Sequence, residues 1–268
     1  MRIALVSLDQ LWHDKDENYK RCLSFIAEAS SHAAELVIFP EMTLTAYSFS
    51  IDECAEQENC SPSLSRFAKA ASNSALSIVF GASLIESSTG STRNTFCLAR
   101  PDGESSVVYS KIHPFSFAGE DKVFKAGDLL GMIRVGPLDI GSAICYDLRF
   151  PEMFAAMSAH CNAFIVIANW PERRVDHWRS LLIARAIENQ SFVFGVNRTG
   201  SDANGLQYQK SSIAVAPDGT LLEPVIAGSE LDIYEFDPDD VVTYRSSFPT
   251  LRDKRYEMYA NMLKKAIQ

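Results

Sequence analysis

Short apolar runs separated by polar stretches set the rhythm of this chain. Residues 2–8 alternate and then run apolar, the pattern of a strand. Residues 14–34 follow with Cys22, Ile26, Ala29 and Ala33 at helical spacing. Residues 35–39 read as a short buried strand ended by Pro40. After a loop over 41–60, Ser61-Pro62 supplies a cap and a first-turn proline for a helix carrying Leu64, Phe67, Ala68 and Ala71 on one face. Residues 77–84, 94–99 and 105–111 read as strands, the last two joined by the turn Pro101-Asp102-Gly103. A loop spans 112–128, and strands over 133–135 and 138–144 meet at Gly136-Pro137.

The second half continues with a helix over 151–160, a strand over 163–168 and an amphipathic helix over 176–190. Leu181, Leu182, Ala184, Ala186 and Ile187 are candidates for the buried side of that helix. Residues 192–196, 211–216, 220–224 and 231–236 read as further strands, the middle pair hinged on Pro217-Asp218-Gly219. The tail over 252–267 alternates charge with Tyr256, Met258, Tyr259 and Met262. It reads as a helix packing on a partner subunit, within a C-terminal segment of about 245–268.

Strands and helices alternate in the first half, whereas hairpins intrude in the middle and near the end. That order fits an α/β sandwich of mixed sheets better than a purely parallel doubly wound sheet. The 268 residues show no linker or compositional break, so a single domain over 1–268 is expected.

Composition narrows the partners. Hydrophobic residues make up 47% and charged ones 22%, as in ordinary globular chains. The 25 basic against 34 acidic side chains give a net charge of −9, which argues against nucleic acid or an anionic membrane as partner. The first apolar run is too short for a signal peptide, and no run approaches the ~18 apolar residues of a membrane span. The six cysteines lack any Cys-x-x-Cys pair, which suggests reduced thiols in the cytoplasm and no zinc site.

Candidate chemistry lies at three strand ends: Glu41 after Leu36–Pro40, Lys111 after Val107–Ser110, and Cys145 after residues 138–144. Strand ends in α/β folds gather reactive side chains above a rigid sheet. Between a strand and a helix opened by Pro151-Glu152, Cys145 is expected on a sharp turn with backbone N–H groups nearby. That setting favours thiolate over thiol and offers donors to an oxyanion. Taken singly, each residue has a plainer reading: a buried free cysteine, a solvated loop glutamate, a surface lysine. Together they form a working set, with Glu41 accepting the thiol proton, Cys145 attacking a carbonyl and Lys111 holding the negative charge.

Phe39-Pro40-Glu41, Lys111-Ile112-His113 and Cys145-Tyr146-Asp147-Leu148-Arg149-Phe150-Pro151-Glu152 resemble the three signature blocks of the nitrilase, or carbon–nitrogen hydrolase, superfamily. Ala168-Asn169-Trp170-Pro171 with Arg174 and His177-Trp178, then residues 184–190, are similar to its ω-amidase-like branch. Asn197-Arg198, Gly200-Ser201-Asp202 and Asn204-Gly205 continue the likeness, which runs from Arg2 to about Gly228.

The resemblance implies a Glu41–Lys111–Cys145 triad on a four-layer αββα sandwich of the nitrilase type, as a homodimer or larger homo-oligomer. It implies that Glu120, nine residues after the lysine, orients Lys111 and the substrate amide. The thiolate would add to the amide carbon, with the oxyanion between the Lys111 ammonium and the backbone N–H of Tyr146. Glu41 would protonate departing ammonia and then activate water, with no metal or organic cofactor required.

The implied substrate is a small carboxylic acid ω-amide of the 2-oxoglutaramate or 2-oxosuccinamate type. Arg174 and Arg198 are candidates to grip its carboxylate, and Trp170, Phe115 and Tyr47 to wall the pocket. Asp147 and Arg149 are expected to form an ion pair bracing the turn rather than to touch substrate. A Cys–His dyad with His113 or His177 is less economical, because Glu41 and Lys111 account for their blocks. The alternatives are another amidase or N-carbamoyl hydrolase of the superfamily, a nitrile hydrolase, and a non-catalytic scaffold. Neither a Gly-x-Gly-x-x-Gly after a strand nor a Walker loop is present, which disfavours a nucleotide enzyme.

Overall fold

A computed structural model of the chain describes residues 1–266. Two sheets stack face to face. The larger is built from β1 (Arg2–Val6), β2 (Leu36–Ile38), β3 (Glu56–Gln57), β4 (Ser77–Ile85), β5 (Thr92–Ala99) and β6 (Ser105–Ser110). The smaller holds β7 (Gly131–Val135), β8 (Leu138–Ile144), β9 (Ala163–Ala168), β10 (Phe192–Asn197) and, beyond a short pair of β11 (Gly200–Ser201) with β12 (Gln207–Tyr208), β13 (Ile213–Val215). The last strands, β14 (Ile226–Ala227) and β15 (Leu231–Glu235), return to the larger sheet, where β15 lies antiparallel to β1. Parallel pairs β1–β2, β2–β4, β8–β9 and β9–β10 form the middle of each sheet, and antiparallel strands form the flanks.

Alternation along the strands sets the layers. Ile3, Leu5, Leu36, Ile38, Val79, Phe96 and Leu98 point between the sheets. Their neighbours Ala4, Val6, Val37, Phe39, Ile78, Phe80, Cys97 and Ala99 pack against the helices on the outer face. Those helices are α1 (Lys15–Ser31) and α3 (Pro62–Ser74), preceded in the connecting loop by the one-turn α2 (Ile51–Cys54). Asp14 and Ser61 cap α1 and α3 by accepting from the N–H groups of Glu17 and Leu64. The outer face of the smaller sheet is covered by α4 (Pro151–Met157) and α5 (Val175–Asn189), which completes the αββα sandwich.

Several expected elements differ. Residues 220–224 do not form a strand: only one bridge, Val215 to Leu221, remains there after the Pro217-Asp218-Gly219 turn. Residues 240–247, to which the sequence pattern assigned no element, form α6 (Asp240–Ser247), packed through Val241 and Arg245. The buried side of α5 holds Trp178, Leu182, Arg185, Ala186 and Asn189, whereas Ile187 is exposed. Arg185 stays inside because its guanidinium donates to the Leu148 carbonyl and to Glu188. The tail helix is α7 (Tyr256–Ala266), with Tyr256, Met258, Tyr259, Met262 and Leu263 exposed; Ile267 and Gln268 lie outside the described residues. No helix among the described residues is long and apolar enough to cross a membrane.

Candidate active site

The three strand ends converge at one edge of the sheet-to-sheet interface. Glu41 follows β2 on a tight loop in which Met42 has φ +47°. Strand β4 passes so close beneath it that a Cβ on Gly81 would sit 2.4 Å from the Met42 nitrogen, so only glycine fits. Gln10 Nε2 and Asn169 Nδ2 both donate to the Glu41 carbonyl, fixing its backbone from two further elements.

Lys111 ends β6 and is fully enclosed. Its Nζ donates to Glu41 Oε1 at 2.9 Å and to Glu120 Oε1 and Oε2 at 3.1 and 2.9 Å. Asn94 closes the square from β5, its Nδ2 donating to Glu41 Oε1 at 2.7 Å and to Glu120 Oε1 at 2.9 Å. Glu120 Oε2 also accepts from Tyr47 Oη at 2.8 Å and from the Phe115 N–H. Glu41 Oε2 accepts the Asn169 N–H at 2.9 Å.

Charge follows from this enclosure. Burial disfavours the Lys111 ammonium, but Glu120 and Glu41 outweigh it and hold its pKa well above the usual lysine range. Burial likewise penalises the Glu120 carboxylate, yet Lys111, Asn94 and the Phe115 N–H together keep its pKa below the ordinary value. A buried ammonium with a carboxylate on either side is sound only when all the partners are in place.

Cys145 sits where β8 turns into a short 3₁₀ segment, with φ +48°, a left-handed conformation unusual for a side chain larger than glycine. The Tyr146 N–H lies in the first turn of that segment, where amides lack an intrahelical acceptor. The Cys145 thiol donates to the Asn169 carbonyl at 3.9 Å. The thiolate expected from the turn alone does not follow. Burial pushes the thiol pKa well above the usual range, the Glu41 and Glu120 carboxylates push it further, and Lys111 offsets only part of that. The surroundings of Cys145 thus favour the thiol over the thiolate.

A cavity of about 140 Å³ opens above Cys145. Phe115, Tyr47 and Trp170 line it with Tyr146, Tyr208 and Leu206, and Arg149, Arg173 and Arg174 stand in its wall. None of these three arginines has a carboxylate within 4 Å among the described residues. Arg174 lies over the Phe115 ring at 5.6 Å, its cation disfavoured by burial and by the neighbouring Arg173. Arg149 lies over Trp170 at 4.8 Å.

Other expectations need correction. Arg198 is wholly buried behind Tyr208, its guanidinium donating to Asp9 and to the Gln10, Thr199 and Ser201 carbonyls, so it does not line the cavity. Asp147 and Arg149 do not pair: Asp147 bonds Tyr109, His113 and the Ile144 N–H, whereas Arg149 Nη2 meets His177 Nδ1 at 3.2 Å. Neither histidine bonds Cys145. Asn94, Asn169 and Arg173 were not singled out from the sequence. Asn94 carries no local pattern that marks it, Asn169 lies within the Ala168-Asn169-Trp170-Pro171 block but was given no role, and Arg173 adjoins a residue that was named.

The chain matches the carbon-nitrogen hydrolase family over residues 2–246. It is 32% identical to the 2-oxoglutaramate amidase of Bacillus subtilis, covering 96% of this chain and 98% of that one. It is 30% identical to the omega-amidase YafV of Escherichia coli K12, covering 94% and 96%. Among solved structures, XC1258 from Xanthomonas campestris, a CN-hydrolase superfamily protein with an arsenic adduct in its active site, superposes with a TM-score of 0.87 at 27% identity, covering 95% and 97%.

Proposed function

This chain belongs to the carbon–nitrogen hydrolase family and is an amide hydrolase of its ω-amidase branch, and we propose that it releases ammonia from the terminal amide of a small 2-oxo acid, 2-oxoglutaramate or 2-oxosuccinamate, through a Cys145 thioester. The observation that carries this reading is the pairing of an enclosed Glu41–Lys111–Glu120 floor, one ammonium held between two carboxylates beside Cys145, with a cavity wall bearing arginines that have no carboxylate partner among the described residues.

In this reading Glu41 Oε2 takes the thiol proton as sulfur adds to the amide carbon, so the thiolate never accumulates. The oxyanion forms between the Lys111 ammonium and the Tyr146 N–H, donors whose individual loss typically costs about 10²- to 10³-fold. Lys111 is already fixed by its two carboxylates, so little reorganisation accompanies charge development. Glu41 returns the proton to departing ammonia, then draws one from the water that cleaves the thioester. Glu120 receives five hydrogen-bond contacts from four groups. It stays ionised and orients Lys111. Arg174 grips the distal carboxylate while Trp170, Phe115 and Tyr47 enclose the carbon chain.

Two further parts of the proposal rest on the surface and on the thiols. The exposed apolar row on α7 supports a homo-oligomer, most simply a dimer, with the tail packed on a second copy. Six unpaired cysteines support a reducing compartment, the cytoplasm.

The test is ammonia release from 2-oxoglutaramate, 2-oxosuccinamate, glutamine, asparagine, an aliphatic amide, a carbamoyl amino acid and a nitrile, with Cys145→Ala in parallel. Release confined to the 2-oxo ω-amides and lost in the variant is expected. Release from another compound alone would replace the substrate, and activity in the variant would overturn the chemistry.

A further inference from the structure

Asp147 is a wholly buried carboxylate that the mechanism above does not use. Its Oδ1 accepts from the His113 N–H at 3.0 Å and from His113 Nδ1 at 2.8 Å. Its Oδ2 accepts from Tyr109 Oη at 2.8 Å and from the Ile144 N–H at 3.0 Å. Four donors thus converge on its two oxygens. Tyr109 Oη in turn accepts from the Ile112 N–H at 2.9 Å, and the His113 ring stacks on Phe150 at 3.8 Å with its plane tilted only 10°.

The residues so tied are not scattered. Tyr109, Ile112 and His113 flank Lys111 at the end of β6 in the larger sheet. Ile144, Asp147 and Phe150 flank Cys145 at the end of β8 in the smaller one. Lys111 and Cys145 make no hydrogen bond to one another. The gap between the ammonium and the Tyr146 N–H, the two donors an oxyanion must fit between, is therefore set by what joins the two strand ends.

We infer that Asp147, with Tyr109 and His113, is a positioning unit that holds the Lys111 strand end against the Cys145 turn and so fixes the width of the oxyanion site. The inference rests on the amidase reading above. A slip of about 1 Å between two oxyanion donors costs on the order of 100-fold in turnover, while leaving binding of the distal part of the substrate alone.

The test uses full-length protein carrying Tyr109→Phe, His113→Phe, His113→Asn or Asp147→Asn, assayed on the amide the wild type cleaves fastest. Each preparation is characterised by thermal melting, and Cys145 alkylation by iodoacetamide is followed at fixed pH. Asparagine at 113 can present an N–H close to where imidazole Nδ1–H stands, while phenylalanine keeps the stack on Phe150 and loses the bond.

The expected result is a kcat about 10-fold down in Tyr109→Phe and His113→Phe, with KM within about threefold and alkylation within about twofold of wild type. His113→Asn regains most of the loss, and Asp147→Asn, which turns an NH₂ toward two of the four donors, falls about 100-fold. Folded variants with unchanged kcat, a rise in KM at steady kcat, or His113→Phe and His113→Asn behaving alike would overturn the inference. Should Asp147→Asn fail to fold, the Tyr109 and His113 variants decide. An active wild type with unaffected variants defeats this inference alone, whereas a wild type silent on every amide defeats the function and this inference with it.

Discussion

At the floor of the cavity the charges are paired, two carboxylates on one shared ammonium, and at the rim no arginine has a carboxylate partner among the described residues. Lys111 lies between Glu41 and Glu120 with Asn94 bridging the same two carboxylates, all of them enclosed. Arg149, Arg173 and Arg174 share a wall with aromatic rings and meet no acid. The floor is complete before substrate arrives, as a site must be if its dipoles are to stabilise a transition state without rearranging. The rim is incomplete in a way an anionic substrate would complete. In the proposed reaction the chemistry of amide cleavage belongs to the floor and the choice of amide to the rim, a division that substitutions should separate.

The largest effect is expected at the floor. Cys145→Ala should lower ammonia release by about 10⁴-fold or more, since no second nucleophile bonds into the site. Next comes the cation. Lys111→Met should reduce kcat by about 10²- to 10³-fold and also lower the melting temperature, because it leaves two buried carboxylates facing each other. A Lys111→Met protein as stable and as active as wild type would mean that the floor is not a unit.

The acid limb of stability sharpens the same point. The Glu120 pKa is held below the ordinary carboxylate value when folded. Its contribution is thus present above that ordinary value and is lost as pH falls through the folded one. Denaturant titrations between about pH 3 and 6 should show Glu120→Gln with a shallower loss of stability toward acid than wild type. Equal slopes would remove Glu120 from the linkage.

Rim substitutions are smaller and of another kind. Arg174→Ala should raise KM for the 2-oxo acid amide by about 10- to 100-fold, with kcat changed only a few-fold, as for loss of one charge-assisted bond. Arg198→Ala should instead lower the melting temperature, because that guanidinium braces Asp9 and the Gln10, Thr199 and Ser201 carbonyls. If Arg198→Ala raised KM without destabilising, the division drawn between the two arginines would be wrong.

This division also marks what could be read from the sequence. Glu41, Lys111 and Cys145 were legible because each ends an apolar strand, and the strands were visible by their alternation. The alternation by itself gave only a mixed α/β sandwich; the αββα layering came from the resemblance of the signature blocks. Asn94 was not legible: an asparagine within a strand carries no sign that its amide will bridge two carboxylates from distant segments. Burial was the other blind spot. Arg174 and Arg198 look alike in sequence, yet one faces the cavity and the other is sealed behind Tyr208. A turn that by itself would favour thiolate has its thiol pKa pushed up once burial and two carboxylates act on it. Residues 240–247, to which the sequence pattern assigned no element, form a helix because Arg245 reaches the Cys161, Asn189 and Gln190 carbonyls, a tertiary gain that outweighs weak local propensity.

The smallest effect on turnover is expected outside both regions. On α7, Met258, Tyr259, Met262 and Leu263 are exposed on an amphipathic helix, and a contiguous apolar row of that kind is costly in a monomer. The floor and rim draw no cavity-lining residue from α7. Met262→Asp with Leu263→Asp should therefore halve the mass measured by light scattering at micromolar protein while changing kcat by no more than about threefold, because assembly by burial of apolar area is sensitive to charge placed within it. A loss of mass accompanied by a large fall in kcat would mean that the partner copy supports the site, and the separation of floor from rim would have to include a third region.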